Sequence, residues 1–308
     1  MKISVIGAGN VGSLTALRLA QENLGEIFLI DIVKGLAHGK SLDLEDAQGV
    51  LGINYSLKGS DDIKDLRDSD IVVVTAGLAR KPGMTREELV GKNAQILKDL
   101  SLNIKDLASS AVVIVVTNPL DLMTYLALKI TGFSSKKLFG MGVTLDASRF
   151  ANLIAQELKL MPNDVEAVVV ASHGEGMLPL SRFTKVNGKS LDSIMDQEKI
   201  DSLVKRTVGR GAEIVSNLGS GSAFFAPSAA VAQIAKAIVK DEKRILGVSA
   251  YLGGEYGVNG VCLGVPCSIG KNGIEKIIEL DLNSAEKDLF TKSADSVKGL
   301  LKSIESYL

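Results

Sequence analysis

Histidine and cysteine are scarce in this chain, with two of each in 308 residues. The ligand patterns that metal sites need, CxxC or HxxxH pairs, do not occur, and no metal site is expected. Cys262 and Cys267 stand in one short apolar run that reads as a strand, where five residues span roughly 16 Å, too far for a disulfide. They are expected to be reduced core residues of a cytoplasmic protein. Long hydrophobic runs are missing too. No stretch approaches the roughly 18 continuous apolar residues of a membrane span, and with a first strand beginning at residue 3 no signal peptide is expected. Basic tracts are also lacking: 35 Lys and Arg are scattered among 36 Asp and Glu, for a net charge of −1. Nucleic acid and acidic membrane surfaces are therefore not expected as partners. There is no internal repeat and no low-complexity tract.

With 46% hydrophobic side chains, the chain can bury a large core, and its length suggests two domains. The first apolar run, Ile3 to Ile6, turns directly into Gly7-Ala8-Gly9-Asn10-Val11-Gly12. In this G-x-G-x-x-G element Gly7 permits a tight turn, Gly9 lets the backbone approach a pyrophosphate, and Gly12 lets the following helix pack on the strand. The helix is expected from Leu14, Ala16, Leu17, Ala20 and Leu24, with Gly25 ending the run. A second apolar run, 27–30, delivers Asp31 nineteen residues beyond Gly12. An acid there accepts hydrogen bonds from ribose hydroxyls and repels a 2′-phosphate, which selects NAD over NADP.

Further strand-like runs at 71–75, 112–116 and 137–139 alternate with helical segments at 85–107 and 120–130. Continuous β-branched runs of this kind suit a parallel sheet covered on both faces. Residues 1–144 thus read as an α/β domain with a doubly wound parallel sheet. From 145 to 308 a helix at 146–158, a strand at 165–170 and short glycine-punctuated segments suggest an α+β domain. The last segment, 284–307, reads as a packed helix with Leu289, Val297, Leu300, Leu301 and Ile304 on its buried stripe.

Four segments carry candidate chemistry. After the strand at 71–75, Arg80, Lys81 and Arg86 lie between and beyond Gly77 and Gly83, where a lid could carry cations onto a bound anion; a solvated charged loop reads equally from these residues. Asn118, before Pro119, stands at a strand tip where an amide can orient a hydroxyl or a nicotinamide, or simply begin a helix. Asp146 and Arg149 are three apart on one helix face, as in many surface ion pairs. His173 follows an apolar strand into Gly174-Glu175-Gly176, where its ring is accessible and either catalytic or structural. His38 is assigned to a surface loop.

Taken together, GAGNVG, Asp31, TAGLARKPGMTR, VTNPLD, LDASRF, SHGE, GSAFFAPSAA and GVPCSIGKNGIEKI resemble the lactate/malate dehydrogenase family over nearly the full length, and within it the malate dehydrogenases of lactate dehydrogenase-like type. The resemblance implies a Rossmann domain followed by an α+β catalytic domain. It implies NAD as cofactor, held by Gly7, Gly9, Asn10, Val11, Gly12, Asp31, Thr75, Ala76, Gly77, Asn93, Val116 and Asn118. It also implies that Asp146 orients His173, which exchanges a proton with the substrate oxygen, a role that suits a side chain with a reference pKa of about 6.5. Arg149 would clamp the C1 carboxylate, Arg86 would polarise the carbonyl and Asn118 would bond the reacting oxygen. Arg80 occupies the loop position that is glutamine in lactate enzymes and arginine in malate enzymes, so a dicarboxylate substrate is implied. An unpaired Arg80 over a monocarboxylate would be a desolvated charge. Ser222 and Ala223, in a helix region at 220–232, would line the pocket. Family members commonly carry Asp where Glu175 stands, and Gly-rich versions of Ala171-Ser172. The family also implies a homo-oligomer, a tetramer ahead of a dimer.

Three alternatives remain. A lactate or other 2-hydroxy acid dehydrogenase would share the same machinery. The NAD-dependent family 4 glycosidases resemble this chain in their dinucleotide fold but use a metal with Cys and His ligands, and neither cysteine here lies near His173 in sequence. A non-enzymatic NAD-sensing module would have no need of Asp146, Arg149, His173 and the loop arginines together.

Overall fold

Continuous β-branched runs build the centre of the molecule. In the structure, a computed structural model that describes residues 1–78 and 85–308 and only the backbone of Arg86, β1 (Lys2–Ile6), β2 (Glu26–Ile30), β3 (Leu57–Ser60), β4 (Ile71–Val74), β5 (Val112–Val115) and β6 (Leu138–Gly140) pair in parallel in the order 3-2-1-4-5-6. Registers such as Ile3 against Ile27 and Ile71 align their carboxyl ends. β4 and β5, Ile-Val-Val-Val and Val-Val-Ile-Val, are buried at every position, as strands between two helical layers must be. Crossovers run through α1 (Asn10–Gln21), α2 (Leu36–Leu51), α3 (Arg86–Leu107) and α4 (Leu120–Thr131). The strand order reverses between β1 and β4, so a crevice opens above their carboxyl ends.

α5 (Val143–Leu158) leads into the second half. The apolar run at 165–170 is not one strand. Val165–Glu166 (β7) joins a small antiparallel sheet with Lys185–Val186 (β10) and Lys189–Ser190 (β11), while Val169–Ala171 (β8) pairs with Met177–Pro179 (β9). At the break, the Val168 amide donates to the Thr184 hydroxyl and the Val168 carbonyl accepts the Leu180 amide. α6 (Gln197–Leu218) and α7 (Phe225–Val239) precede a long hairpin of β12 (Arg244–Gly253) and β13 (Asn259–Gly270), extended by β14 (Gly273–Ile277). Ser249 of β12 pairs with Gly140 of β6, so among the described residues one eleven-stranded sheet runs through both halves.

Several helical details depart from the sequence reading. α1 ends at Gln21 rather than Gly25, and its inward face is Gly12, Thr15, Ala16, Leu19 and Ala20, leaving Leu14 and Leu17 half-buried. His38 is exposed as expected but sits in α2, not a loop. α7 starts at Phe225, so Ser222 and Ala223 lie in the connection before it. The last helix, α8 (Ser284–Leu301), gives way to tight turns at Lys302–Tyr307. Its buried stripe is Phe290, Ser293, Ala294 and Val297, continued by Ile304; Leu289 and Leu300 are exposed. The aromatic ring of Phe290 stacks on Tyr256, centroids 4.8 Å apart, and that packing sets the helix's rotation. Cys262 and Cys267 are buried free thiols on β13.

Candidate active site

The loop between β1 and α1 has no room for side chains. Gly7 has φ of +103°, and a β-carbon on it would stand 2.8 Å from the amide nitrogen of Ala76; one on Gly12 would strike the carbonyl oxygen of Gly7. The Thr75 hydroxyl bridges the carbonyls of Ile6 and Gly7 at 3.0 Å each. Gly9 caps α1 and offers no side-chain acceptor, so the first-turn amides of Asn10, Val11 and Gly12 are left for an anion at the positive end of the helix. Lys40, which sequence reasoning did not single out, reaches from α2 to donate to the Ala8 carbonyl at 2.7 Å and the Ser13 hydroxyl at 3.1 Å. Only the spatial return of α2 onto the loop brings it there.

Asp31 ends β2. Its Oδ2 accepts the Ala8 amide at 2.6 Å and its Oδ1 the Val33 amide at 2.9 Å, which fixes the carboxylate at the rim of a cavity of about 670 Å³. Gly7, Thr75, Ala76, Gly77, Ile96 and Leu100 are among its other lining residues, together with Asp61, Asp62 and Asp99. Its surface is largely apolar, Asp31 is held on its wall and the unclaimed α1 amides follow Gly7, so it suits an adenosine beside its pyrophosphate. Asn93 is buried on α3 and spends its side chain on main chain: Oδ1 accepts the Leu78 amide at 2.7 Å, and Nδ2 donates to Asn118 O at 2.8 Å. It therefore ties the segment after β4 to the one after β5. Thr117 adds a 2.7 Å bond to Ala76 O. Half-buried Val116 and exposed Asn118 finish the β5 tip.

Across the crevice, α5 begins at the end of β6 and turns Asp146 fully inward. Asp146 Oδ2 lies 2.7 Å from His173 Nδ1, and its Oδ1 accepts from Arg149 Nη1 at 3.1 Å. The imidazole follows β8 and is 16% exposed at the side chain, enough to reach a ligand through Nε2. Arg149 is 11% exposed, and its buried Nε has no hydrogen-bond partner among the described residues. Asp121, at the start of α4, accepts the His173 amide through Oδ2 at 3.0 Å and the Ser249 hydroxyl through Oδ1 at 2.6 Å.

Burial is the largest influence on His173 and disfavours its imidazolium, but Asp146 and Asp121 together outweigh it and raise the pKa above the ordinary value. Burial pushes the Asp121 carboxyl up to about 6, against the pull of the Ser249 hydroxyl and of His173. Burial also raises both thiols, so neither is a nucleophile near neutrality. Glu175 is exposed, Ser222 is exposed and Ala223 is half-buried. Arg80, Lys81 and Gly83, with most of the expected lid, lie outside the described residues, as does the side chain of Arg86. Among the described residues no group of three or more His, Cys, Asp or Glu side chains is placed to hold a metal ion, and no helix is long and apolar enough to cross a membrane.

A phosphate loop at the carboxyl edge of the parallel sheet, with a carboxylate-held imidazole anchored through Asp121 just beyond the β5 tip, is the architecture of a nicotinamide-dependent dehydrogenase. Comparison with known proteins narrows the class. Residues 1–140 match the family model described as lactate/malate dehydrogenase, NAD binding domain, and residues 143–307 match lactate/malate dehydrogenase, alpha/beta C-terminal domain. A malate dehydrogenase of Methanosarcina mazei is 50% identical over 303 residues, 98% of this chain and 99% of that protein. The crystal structure of Cryptosporidium parvum malate dehydrogenase superposes with a TM-score of 0.96 at 40% identity, over 99% of each chain. The lactate dehydrogenase of Cryptosporidium parvum complexed with lactic acid and nicotinamide adenine dinucleotide gives 0.95 at 38% identity, over 99% of this chain and 98% of that one. The chain belongs to the lactate/malate dehydrogenase family.

Proposed function

We propose that the protein interconverts malate and oxaloacetate with NAD, residues 1–144 holding the cofactor and residues 145–308 the substrate chemistry. Asp146 carries the proposal: a fully buried carboxylate that orients the proton-exchanging imidazole with one oxygen and a guanidinium with the other.

Bound NAD supplies a hydride acceptor at its nicotinamide ring. The glycine loop and the α1 amides would hold its phosphates, Asp31 its ribose hydroxyls, and Thr75, Ala76, Gly77, Val116 and Asn118 the end nearer the chemistry. Asn93 acts by pinning Leu78 and Asn118. Because Asp146 faces Nδ1, Nε2 of His173 takes the proton from the malate hydroxyl as the hydrogen on the same carbon leaves with its bonding electron pair as hydride. The C–O bond becomes a carbonyl, and the positive charge left on the imidazole is stabilised by Asp146. In the reverse direction His173 returns the proton to the carbonyl oxygen. Arg149, with a buried donor unclaimed, grips the C1 carboxylate. Asn118 donates to the reacting oxygen, Arg86 stabilises the charge developing there, and Arg80 meets the C4 carboxylate. Small side chains at Ser222 and Ala223 leave room for the diacid.

The test is a spectrophotometric grid: NADH or NADPH with oxaloacetate or pyruvate. Rapid NADH oxidation by oxaloacetate alone is expected. Preference for pyruvate would establish the alternative, a lactate-type enzyme, which the likeness to the lactic acid complex keeps in play. A cytoplasmic homo-oligomer, a tetramer ahead of a dimer, completes the proposal. Sedimentation of the full-length protein tests it.

A further inference from the structure

The steps above make no use of Asp121. Its carboxylate is buried, 4% exposed, and enters from the first turn of α4, three residues after Asn118. Both oxygens are committed, one to the His173 amide and one to the Ser249 hydroxyl. A neutral side-chain carbonyl would satisfy an amide donor as well, without the penalty of burying a charge. The charge therefore needs a reason of its own.

The backbone just before the amide that it holds is strained. Ala171, two residues before His173, has φ of +71°, in the region that residues with a β-carbon rarely enter. The next two amides are each taken by a side chain from a remote element: Ser172 N donates to Ser293 Oγ of α8 at 3.1 Å, and His173 N donates to Asp121 of α4. Such strain persists where the surroundings over-determine it, and it gathers at functional sites. His173 is thus anchored twice, its ring by α5 and its main chain by α4.

We propose that Asp121 is a positioning residue for proton transfer, holding the His173 main chain in register with Asn118 and setting a second buried negative charge beside the imidazolium. The proposal rests on the dehydrogenase reading above and adds a residue to it. It also accounts for the apparent excess of carboxylate around one imidazole. The ionisable groups facing His173 are Asp146, Asp121 and Arg149; those facing Asp121 are His173, Asp146 and, from β13, Cys262. Asp146 alone is shared with Arg149, so part of its charge is already answered, and Asp121 supplies what the imidazolium lacks.

The chain's two histidines make the test direct. In full-length protein labelled with ¹³C-histidine, two imidazole signals are followed against pH, and His38→Gln assigns them. Asp121→Asn keeps an acceptor for the His173 amide but removes the charge. The expected result is a His173 midpoint displaced to lower pH with His38 unmoved, and a parallel displacement of the pH profile of kcat/KM for oxaloacetate reduction. Asp121→Ala loses the anchor as well, and kcat is expected to fall a further tenfold to hundredfold, roughly the cost of a misplaced catalytic group, with KM for NADH unchanged. An unmoved His173 midpoint in folded Asp121→Asn overturns the proposal. Should that variant not fold, Ser249→Ala removes a hydroxyl that favours the ionised carboxylate; a smaller displacement in the same direction supports the proposal, and none overturns it. Failure of the wild type to reduce either keto acid would instead sink the dehydrogenase reading, while the imidazole titration would still decide the role of Asp121.

Discussion

Asp146 lies 2.7 Å from His173 Nδ1 with its own side chain fully buried. That contact fixes the tautomer, because the nitrogen facing a carboxylate carries the proton and Nε2 is left to the substrate. Asp146→Asn keeps the shape and loses the charge. We expect kcat in either direction to fall by roughly 10²- to 10⁴-fold, the range spanned by general acid–base catalysis, while NADH still binds, as fluorescence titration would register. A variant with wild-type turnover would remove Asp146 from the mechanism.

The pH dependence follows from the raised pKa of His173. Keto-acid reduction needs the imidazolium, so its kcat/KM is full on the acid side of the raised value and declines as pH rises through it. Malate oxidation needs the neutral ring and climbs over the same interval. Steady-state profiles in the two directions should therefore cross, and two profiles of the same slope would contradict the assignment of His173.

Arg80→Gln should weaken the use of oxaloacetate by the loss of a charge-assisted bond of about 1.5–3 kcal/mol, roughly tenfold to over a hundredfold in kcat/KM. Pyruvate should gain or hold. Unchanged kinetics with both keto acids would take Arg80 out of the specificity argument.

Two glycines of the phosphate loop separate binding from folding. A β-carbon on Gly9 meets nothing within 4 Å, and its φ of −69° suits any residue. Gly9→Ala should leave the urea midpoint within the change of about 0.5 kcal/mol typical of surface substitutions, yet weaken NADH binding by crowding the pyrophosphate. Gly12→Ala drives its methyl into the Gly7 carbonyl and should lower both, at about 1–3 kcal/mol of stability, as overpacking does. Equal behaviour of the two variants would contradict this division.

Much of this architecture was legible as sequence because its signals are local. Ile71-Val72-Val73-Val74 cannot lie on a half-exposed face, and Gly7 to Gly12 carries its own turn and helix start. β3 was not legible: Leu57-Lys58-Gly59-Ser60 has one buried apolar residue and becomes a strand only by pairing with β2 at the sheet edge. The rotation of α8 was misjudged because leucines at 289 and 300 outweigh Ala294 on paper, whereas the fit of Phe290 against Tyr256 decides in space. Residues that recognise a ligand come in recognisable strings, whereas those that hold such residues do not. Lys40 and Asp121 act through partners 27 or more positions away, and no spacing announces that.

Gly140 and Ser249 form the only ladder pair joining β6 to β12 among the described residues. A β-carbon at 140 would stand 2.5 Å from Thr124 Oγ1 and 3.0 Å from the Ser249 β-carbon, so the join tolerates no added bulk. Ser249 also ties down Asp121, which makes one serine both suture and brace. Hybrids that graft the amino-terminal half of one relative onto the carboxyl-terminal half of another will therefore inherit working chemistry only when glycine, serine and the buried acid travel as a set.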